Sequence, residues 1–190
     1  WQKNKTAYRV WVSEIMLQQT QVSSVIEYYQ RFMTRFPTIQ DLAAAPIDDV
    51  LSNWAGLGYY ARARNLHKSA TIICEDFNGV FPTSLTGITA LPGIGRSTAG
   101  AILSIVFKNS HAILDGNVKR VLTRLHNIDG WPGTSAIEKE LWQLAEAYTP
   151  NERCDDYTQA IMDFGATLCT RAKPKCTTCP FSKMCESFKA

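Results

Sequence analysis

The chain has 190 residues, a hydrophobic share of 45%, a charged share of 19% and a formal net charge of +3, ordinary globular usage that excludes a disordered tail. No apolar run approaches the ~20 residues that span a bilayer, so a transmembrane protein is excluded. A charge of +3 is too mild to point to nucleic acid by itself, because that electrostatic footprint is a strongly basic face.

Helical periodicity dominates and strand alternation is scarce, which predicts an all-α class. Tyr8, Trp11, Val12, Ile15 and Met16 share one face of a first helix. After Gln18-Gln19-Thr20, a second stripe runs through Val22, Val25, Ile26, Tyr29, Phe32 and Met33 and ends before Pro37. Thr38 and Pro46 start two short helices, and Gly56 and Gly58 then break the chain. A long helix is expected from about Tyr59 to Asn78, with Gly79 as its stop. Leu91-Pro92-Gly93-Ile94-Gly95 reads as a tight hairpin into a small-residue helix from Ser97 to Phe107. Asp115 caps a helix through Leu125, Thr134 caps one to Tyr148, and a last helix runs from near Arg153 to Cys169. A short, basic, cysteine-rich tail follows from Thr170. The basic clusters Arg62/Arg64/His67/Lys68, Lys119/Arg120/Arg124 and Arg171/Lys173/Lys175 are each accounted for by a solvated face when taken singly.

Cys74 and Cys154 are solitary and read as small buried residues. Cys169, Cys176, Cys179 and Cys185 have C-x6-C-x2-C-x5-C spacing. Disulfides suit small secreted scaffolds more than a helical domain with a full core. Zinc more often shows two C-x2-C knuckles, whereas an iron–sulfur cubane takes four thiolates on uneven loops. The spacing favours the cubane and leaves zinc and disulfides as alternatives. Arg171, Lys173 and Lys175 in the long loop would make such a cage a rigid basic knob.

The Leu91–Gly95 hairpin joins two helices by a turn with two glycines, which permits positive φ and close backbone approach beside a helix N-terminus. No Walker Lys-Ser/Thr follows Gly95, so the phosphate expected there is a nucleic-acid backbone. Glu14 sits among Trp11, Val12, Ile15 and Met16, either facing solvent or held in an apolar pocket with a raised pKa. Asp115 is sufficiently explained as a helix cap, yet two carboxylates converging on one cleft are what glycosidic cleavage asks for.

Taken with the hairpin and the cysteines, three further segments resemble one family: Ser13–Gln21 (SEIMLQQTQ), Gly56–Arg62 (GLGYYAR) and Leu114–Arg120 (LDGNVKR). The chain resembles the MutY-type adenine DNA glycosylases, within the helix-hairpin-helix DNA glycosylases that carry an iron–sulfur loop, over nearly its whole length. The resemblance implies a two-lobed helical fold, with residues 1–20 and 129–190 in one lobe and 21–128 in the other. The hairpin unit would occupy about 84–107 and the cluster loop 169–185. Glu14 then matches the general acid, Asp115 the carboxylate that stabilises or traps the sugar cation, and Asn117 the amide beside it. Gln18, Gln19 and Thr20 match the loop that probes the opposite strand, and Tyr59 the wedge beside the lesion. Leu57, Gly93, Gly95, Arg96, Ser97 and Lys119 complete the implied DNA contacts, and Trp1 and Gln159 the base pocket. Cys169, Cys176, Cys179 and Cys185 would hold a [4Fe–4S] cluster. The implied partner is duplex DNA with adenine opposite 8-oxoguanine or guanine, flipped out for excision, acted on by a monomer in the bacterial cytoplasm, alongside the nucleoid.

Where endonuclease III relatives place an amine that forms a Schiff base, this chain reads Arg96-Ser97-Thr98, so water is the expected nucleophile. Lys119 is expected to contact phosphate, with adventitious lyase action as a side reaction. The runners-up are an endonuclease III type lyase and a non-catalytic DNA-binding module. The chain starts at Trp1 and ends just after the cysteines, and reads as a fragment without the family's C-terminal domain. Adenine excision is therefore expected to survive, with a weaker preference for 8-oxoguanine over guanine.

Overall fold

The computed structural model describes residues 4–190, and the expected all-α class holds: among the described residues there are helices and no strand. The chain divides into two compact units, the first ending at Phe107 and the second spanning Lys108–Ala190.

In the first unit, α1 (Ala7–Leu17) starts at Thr6, whose side chain accepts the Arg9 N–H at 3.3 Å, which satisfies one of the donors a helix start leaves open. Trp11, Val12 and Met16 are wholly buried, and α1 packs against α2 (Val22–Arg35), α5 (Ala61–Asp76) and α7 (Arg96–Phe107). It is the core helix of this unit. Tyr8 donates its hydroxyl to the Phe36 carbonyl at 2.7 Å. Val25, Tyr29, Phe32 and Met33 form the buried stripe of α2, at the spacing that puts one face inward, whereas Val22 in the first turn is exposed and Ile26 half-buried. A Thr38/Asp41 capping box opens α3 (Ile39–Ala44), and Pro46 precedes α4 (Ile47–Trp54). Helix α5 begins after the predicted start because Tyr59 takes φ 50° and only Ala61 enters the helix. Its end is closed as expected: Gly79, at φ 75°, donates its N–H to the Ile73 carbonyl at 2.9 Å.

A five-residue α6 (Leu85–Thr89), capped by Ser84, leads through the Leu91–Gly95 turn into α7. This is the helix-hairpin-helix unit. Ala99, Gly100, Ala101 and Ser104 are among the buried residues of α7, small side chains that let it lie close to α1 and α6.

The second unit contains α8 (Gly116–His126), α9 (Ser135–Tyr148), α10 (Cys154–Thr167), a 3-10 turn at Cys176–Thr178 and α11 (Glu186–Lys189). Asp115 caps α8 as expected, its Oδ1 accepting the Val118 N–H at 2.9 Å. Thr134 stands at the start of α9 but does not cap it through its side chain; its hydroxyl donates instead to the Trp131 carbonyl at 3.1 Å. Helix α10 stops at Thr167, so Cys169 lies past its end and not within it. Cys154 is buried as expected, whereas Cys74 is only half-buried, with its thiol directed at the Ile39 carbonyl. Within the first unit, contacts group α1 with α2, α5 and α7.

Candidate functional site

Site residues of the first unit gather at the C-terminal end of α1. Glu14 is half-buried on a helix whose adjacent residues, Ser13 and Ile15, are buried. Gln18 ends the helix and donates from Nε2 to the Thr98 hydroxyl of α7 at 3.4 Å. Gln19 follows at φ 57° and is exposed, and Thr20 donates to the Gln18 carbonyl at 3.3 Å. Tyr59 is 63% exposed at φ 50°. A left-handed conformation costs a residue with a side chain roughly 1 kcal/mol or more, and persists only where its surroundings fix it. Leu57, before this turn, is only 7% exposed.

The residue that fixes these two loops is Arg62, which the sequence places in a basic cluster. Its Nη1 donates to the carbonyls of Ile15 at 3.0 Å, Met16 at 3.0 Å and Gln18 at 2.6 Å. Its Nη2 donates to the carbonyls of Leu57 and Gly58, each at 3.2 Å, and both nitrogens reach the Thr20 hydroxyl at 3.4 Å. The guanidinium lies over the rings of Trp54 and Tyr59, at 5.4 and 5.5 Å. Burial lowers the pKa of Arg62 from its ordinary value, though a guanidinium remains charged.

In the hairpin, Gly93 has φ 78°, and a Cβ there would stand 2.8 Å from the Asn65 Cβ, so both backbone and packing require glycine. Gly95 has no left-handed φ and open space where a Cβ would project. Nothing within the chain demands glycine there, which leaves room for close approach from outside. The Ser69 hydroxyl holds the turn through the Pro92 carbonyl at 2.9 Å, and α7 opens with the Ala99 N–H on the Gly95 carbonyl at 2.9 Å. Arg96 is exposed at the first position of α7, and Ser97, half-buried, follows.

Asp115 and Asn117 belong to the second unit, both half-buried at the start of α8. Asn117 Oδ1 accepts from Arg120 Nη2 at 2.8 Å, and the same guanidinium donates to the Gly165 carbonyl at 2.6 Å and the Cys169 carbonyl at 2.8 Å. Gly165 permits this approach, since a Cβ there would meet the Asn117 Cβ at 2.7 Å. One turn on, Arg124 donates to the Thr170 carbonyl at 2.7 Å, the Arg171 carbonyl at 3.1 Å and the Cys169 sulfur at 3.6 Å. Lys119 is half-buried, and its ammonium pairs with Glu138 of α9 at 2.6 Å. Gln159 lies on α10 with its amide donating to Asp163 at 3.1 Å, and Trp1 lies outside the described residues.

All four tail cysteines are free thiols, half-buried, and line one cavity of about 440 Å³ together with Leu122, Phe164 and Phe181. Arg171, Lys173 and Lys175 are exposed, as a basic knob requires. Among the described residues no three His, Cys, Asp or Glu side chains converge tightly enough to hold a single metal ion. A cubane binds each thiolate to a different iron, so its ligands stand around a volume and need not meet at a point. A shared cavity with Arg124 directed at one sulfur and the Cys185 thiol on the Arg124 carbonyl at 3.4 Å therefore fits a cluster better than a lone ion.

A family model described as HhH-GPD superfamily base excision DNA repair protein matches residues 12–147. The adenine DNA glycosylase of Buchnera aphidicola subsp. Acyrthosiphon pisum (strain APS) is 52% identical over 185 residues, covering 97% of this chain and 53% of that protein. The Homo sapiens adenine DNA glycosylase is 46% identical over 97% of this chain and 34% of its own length. The chain thus spans about half, or less, of the curated relatives it matches. Among solved structures, a thermostable thymine-DNA glycosylase superposes with a TM-score of 0.89 at 29% identity, covering 100% of this chain and 87% of that one. A trapped endonuclease III–DNA covalent intermediate has the same fold, with a TM-score of 0.85 at 24% identity over 98% of this chain and 86% of its own.

Proposed function

The chain belongs to the HhH-GPD superfamily of base excision DNA repair proteins, and we propose that it is the catalytic part of an adenine DNA glycosylase acting on adenine opposite 8-oxoguanine or guanine in duplex DNA. The observation that carries this reading is the 52% identity to a relative of that name across 97% of the chain. Residues at the implied positions agree with it: Tyr59 exposed at a left-handed turn, a glycine hairpin opening α7, and Asp115 held at the head of α8.

In this reading the hairpin grips backbone phosphate, Tyr59 wedges the duplex, and the adenine leaves the stack so that its glycosidic bond becomes reachable. Glu14 protonates the departing base, and the Asp115 carboxylate stabilises the positive charge that develops on the sugar. Asn117 orients the group beside it, and water adds to the sugar carbon, giving an abasic site. Gln159 lines the base pocket, and Trp1 is assigned to it by resemblance alone. At the position where an amine would form a Schiff base stands Ser97, which cannot; the proposed enzyme is a hydrolase without strand cleavage. Cys169, Cys176, Cys179 and Cys185 are the proposed ligands of a [4Fe–4S] cluster, which when bound cross-links the loop that presents Arg171, Lys173 and Lys175. A bacterial cytoplasmic, nucleoid-associated monomer is part of the proposal. No helix among the described residues is long and apolar enough to cross a membrane.

The test is single-turnover base release from duplexes with adenine opposite 8-oxoguanine, adenine opposite guanine, and thymine opposite guanine, each time point split with and without hot alkali. Adenine release that yields strand breaks only after alkali is the expected result. Release of thymine instead would refute the substrate assignment, and breaks without alkali would refute the hydrolytic one. The reconstituted chain should absorb in the visible as a [4Fe–4S] protein, and Cys176→Ser should lose that absorbance.

A further inference from the structure

Two segments proposed to read DNA, Gln18–Thr20 and the turn ending at Tyr59, each contain one exposed residue with a side chain in the left-handed region: Gln19 at φ 57° and Tyr59 at φ 50°. Neither has glycine's freedom, so each conformation must be imposed by neighbours. The same guanidinium bonds the residues on both sides of Gln19 (the Gln18 carbonyl at 2.6 Å and the Thr20 hydroxyl at 3.4 Å) and the two residues before Tyr59 (Leu57 and Gly58 carbonyls, each at 3.2 Å). It also lies 5.5 Å from the centre of the Tyr59 ring. Through the Ile15 and Met16 carbonyls it anchors both loops to the end of the buried helix α1, whose own last turn holds no basic residue.

We propose that Arg62 is a positioning residue that locks the opposite-strand probe and the wedge into one geometry, so that sensing the mispair and inserting beside it occur as a single coupled event. This rests on the glycosylase reading of the two segments. The flat two-nitrogen fork is essential to the tie, because it spans acceptors from both loops at once. A lysine, with one point-like ammonium, keeps the charge but reaches only one side. The proposal is therefore about coupling and not about charge: Arg62 is turned into the protein and touches no substrate atom.

The experiment compares the unaltered chain with Arg62→Lys by amide hydrogen exchange on the free protein, and by duplex affinity for adenine opposite 8-oxoguanine against a fully paired control at one salt concentration. The expected result is faster exchange in residues 18–20 and 57–60 together, with the core of α1 unchanged and affinity for the paired duplex retained. Discrimination in favour of the mispair should fall about tenfold, within the range of couplings seen in a shared hydrogen-bond network. Faster exchange in only one loop, or unchanged discrimination, would overturn the proposal. So would a uniform rise in exchange across α1 with equal loss of both affinities, the signature of a merely structural role. Should the lysine variant fail to fold, Thr20→Val removes one leg of the tie, and exchange must then rise at residues 57–60 as well as around Gln19. The exchange result needs no DNA, so coupled loops without mispair preference in the unaltered chain would refute the functional reading and leave the tie standing.

Discussion

Gly165→Ala is the substitution whose outcome pits two known effects against each other. Position 165 is buried inside α10, where alanine is favoured over glycine by about 1 kcal/mol from backbone propensity alone. Against that, the new Cβ would stand 2.7 Å from the Asn117 Cβ and 3.2 Å from the Asn117 carbonyl oxygen. Ordinary contact begins near 3.4 Å, so the two helices must part by ~0.7 Å at this point. Overpacking of this kind costs roughly 1–3 kcal/mol, which exceeds the propensity gain and leaves a net loss of about 0–2 kcal/mol. For a chain of this size each kcal/mol lowers Tm by about 2–4 °C, so melting should fall by no more than about 8 °C. Activity should suffer far more. The displaced residue is Asn117, next but one to Asp115, and the Gly165 carbonyl is itself a partner of Arg120 at 2.6 Å. A misplacement approaching 1 Å costs on the order of 10²-fold in rate, so single-turnover adenine release should drop about 10- to 100-fold while duplex binding persists. A variant that melts higher and releases adenine at the original rate would refute the reasoning, since it would mean that α10 yields and the head of α8 does not move.

Asp115→Asn keeps an equally good helix cap, so Tm should change little, whereas adenine release should fall at least about 10²-fold with duplex affinity intact; a parallel loss of stability would make Asp115 a cap and nothing more. Ser97→Lys should place an amine where Schiff-base chemistry becomes possible and yield a borohydride-trapped protein–DNA adduct, whereas an equal adduct from the unaltered chain would point to Lys119 despite its pairing with Glu138. Burial raises the pKa of Tyr8 well above the ordinary phenol value, and burial followed by the neighbouring Tyr148 pushes Tyr157 up to about 12. A raised folded-state pKa gives stability that is complete below the unfolded value near 10 and is lost as pH climbs through the folded one. The denaturant midpoint should therefore fall between pH 10 and 12, and a flat midpoint across that window would show these phenols free to ionise in the fold.

What was legible in the sequence was whatever is encoded locally. The apolar stripe of α2, the Asp115 cap, the Gly79 stop and the glycine turn before α7 all depend on neighbours within a turn or two, and the structure has each of them. The Thr134 cap failed because its hydroxyl had a competing carbonyl three residues back, at Trp131, and serine and threonine side chains divide readily between such partners. Gly165 gave no local signal, since the contact that demands it comes from Asn117 on another helix. The pairing of Lys119 with Glu138 is invisible locally for the same reason, because that partner lies 19 residues away. The basic clusters misled most. Arg62 and Arg120 look like surface charge in a linear reading, but their acceptors lie up to 47 and 49 residues away.

Those two arginines, with Arg124, answer one physical problem in each unit. A helix ends with carbonyls that have no intrahelical donor, and a basic residue in its last turn often supplies one. Neither α1 nor α10 has such a residue. In the first unit α5 provides Arg62 for the Ile15 and Met16 carbonyls, and in the second α8 provides Arg120 for Gly165 and Cys169 and Arg124 for Thr170 and Arg171. Arg62 and Arg120 each cap the end of one helix and in the same act fix the loop that leaves it, the Gln18–Thr20 segment in one case and the start of the cysteine loop in the other, where Arg124 adds bonds to the loop alone. Net charge accordingly overstates what is available to a polyanion, because three of the cations are directed at the chain's own backbone. The cations left facing solvent include Arg96 at the hairpin and Arg171, Lys173 and Lys175 in the cysteine loop, the two segments where a phosphate backbone is proposed to lie. A chain of only +3 still presents solvent-facing cations at both of those segments, and attraction of a polyanion depends on such local charge as well as on the net value.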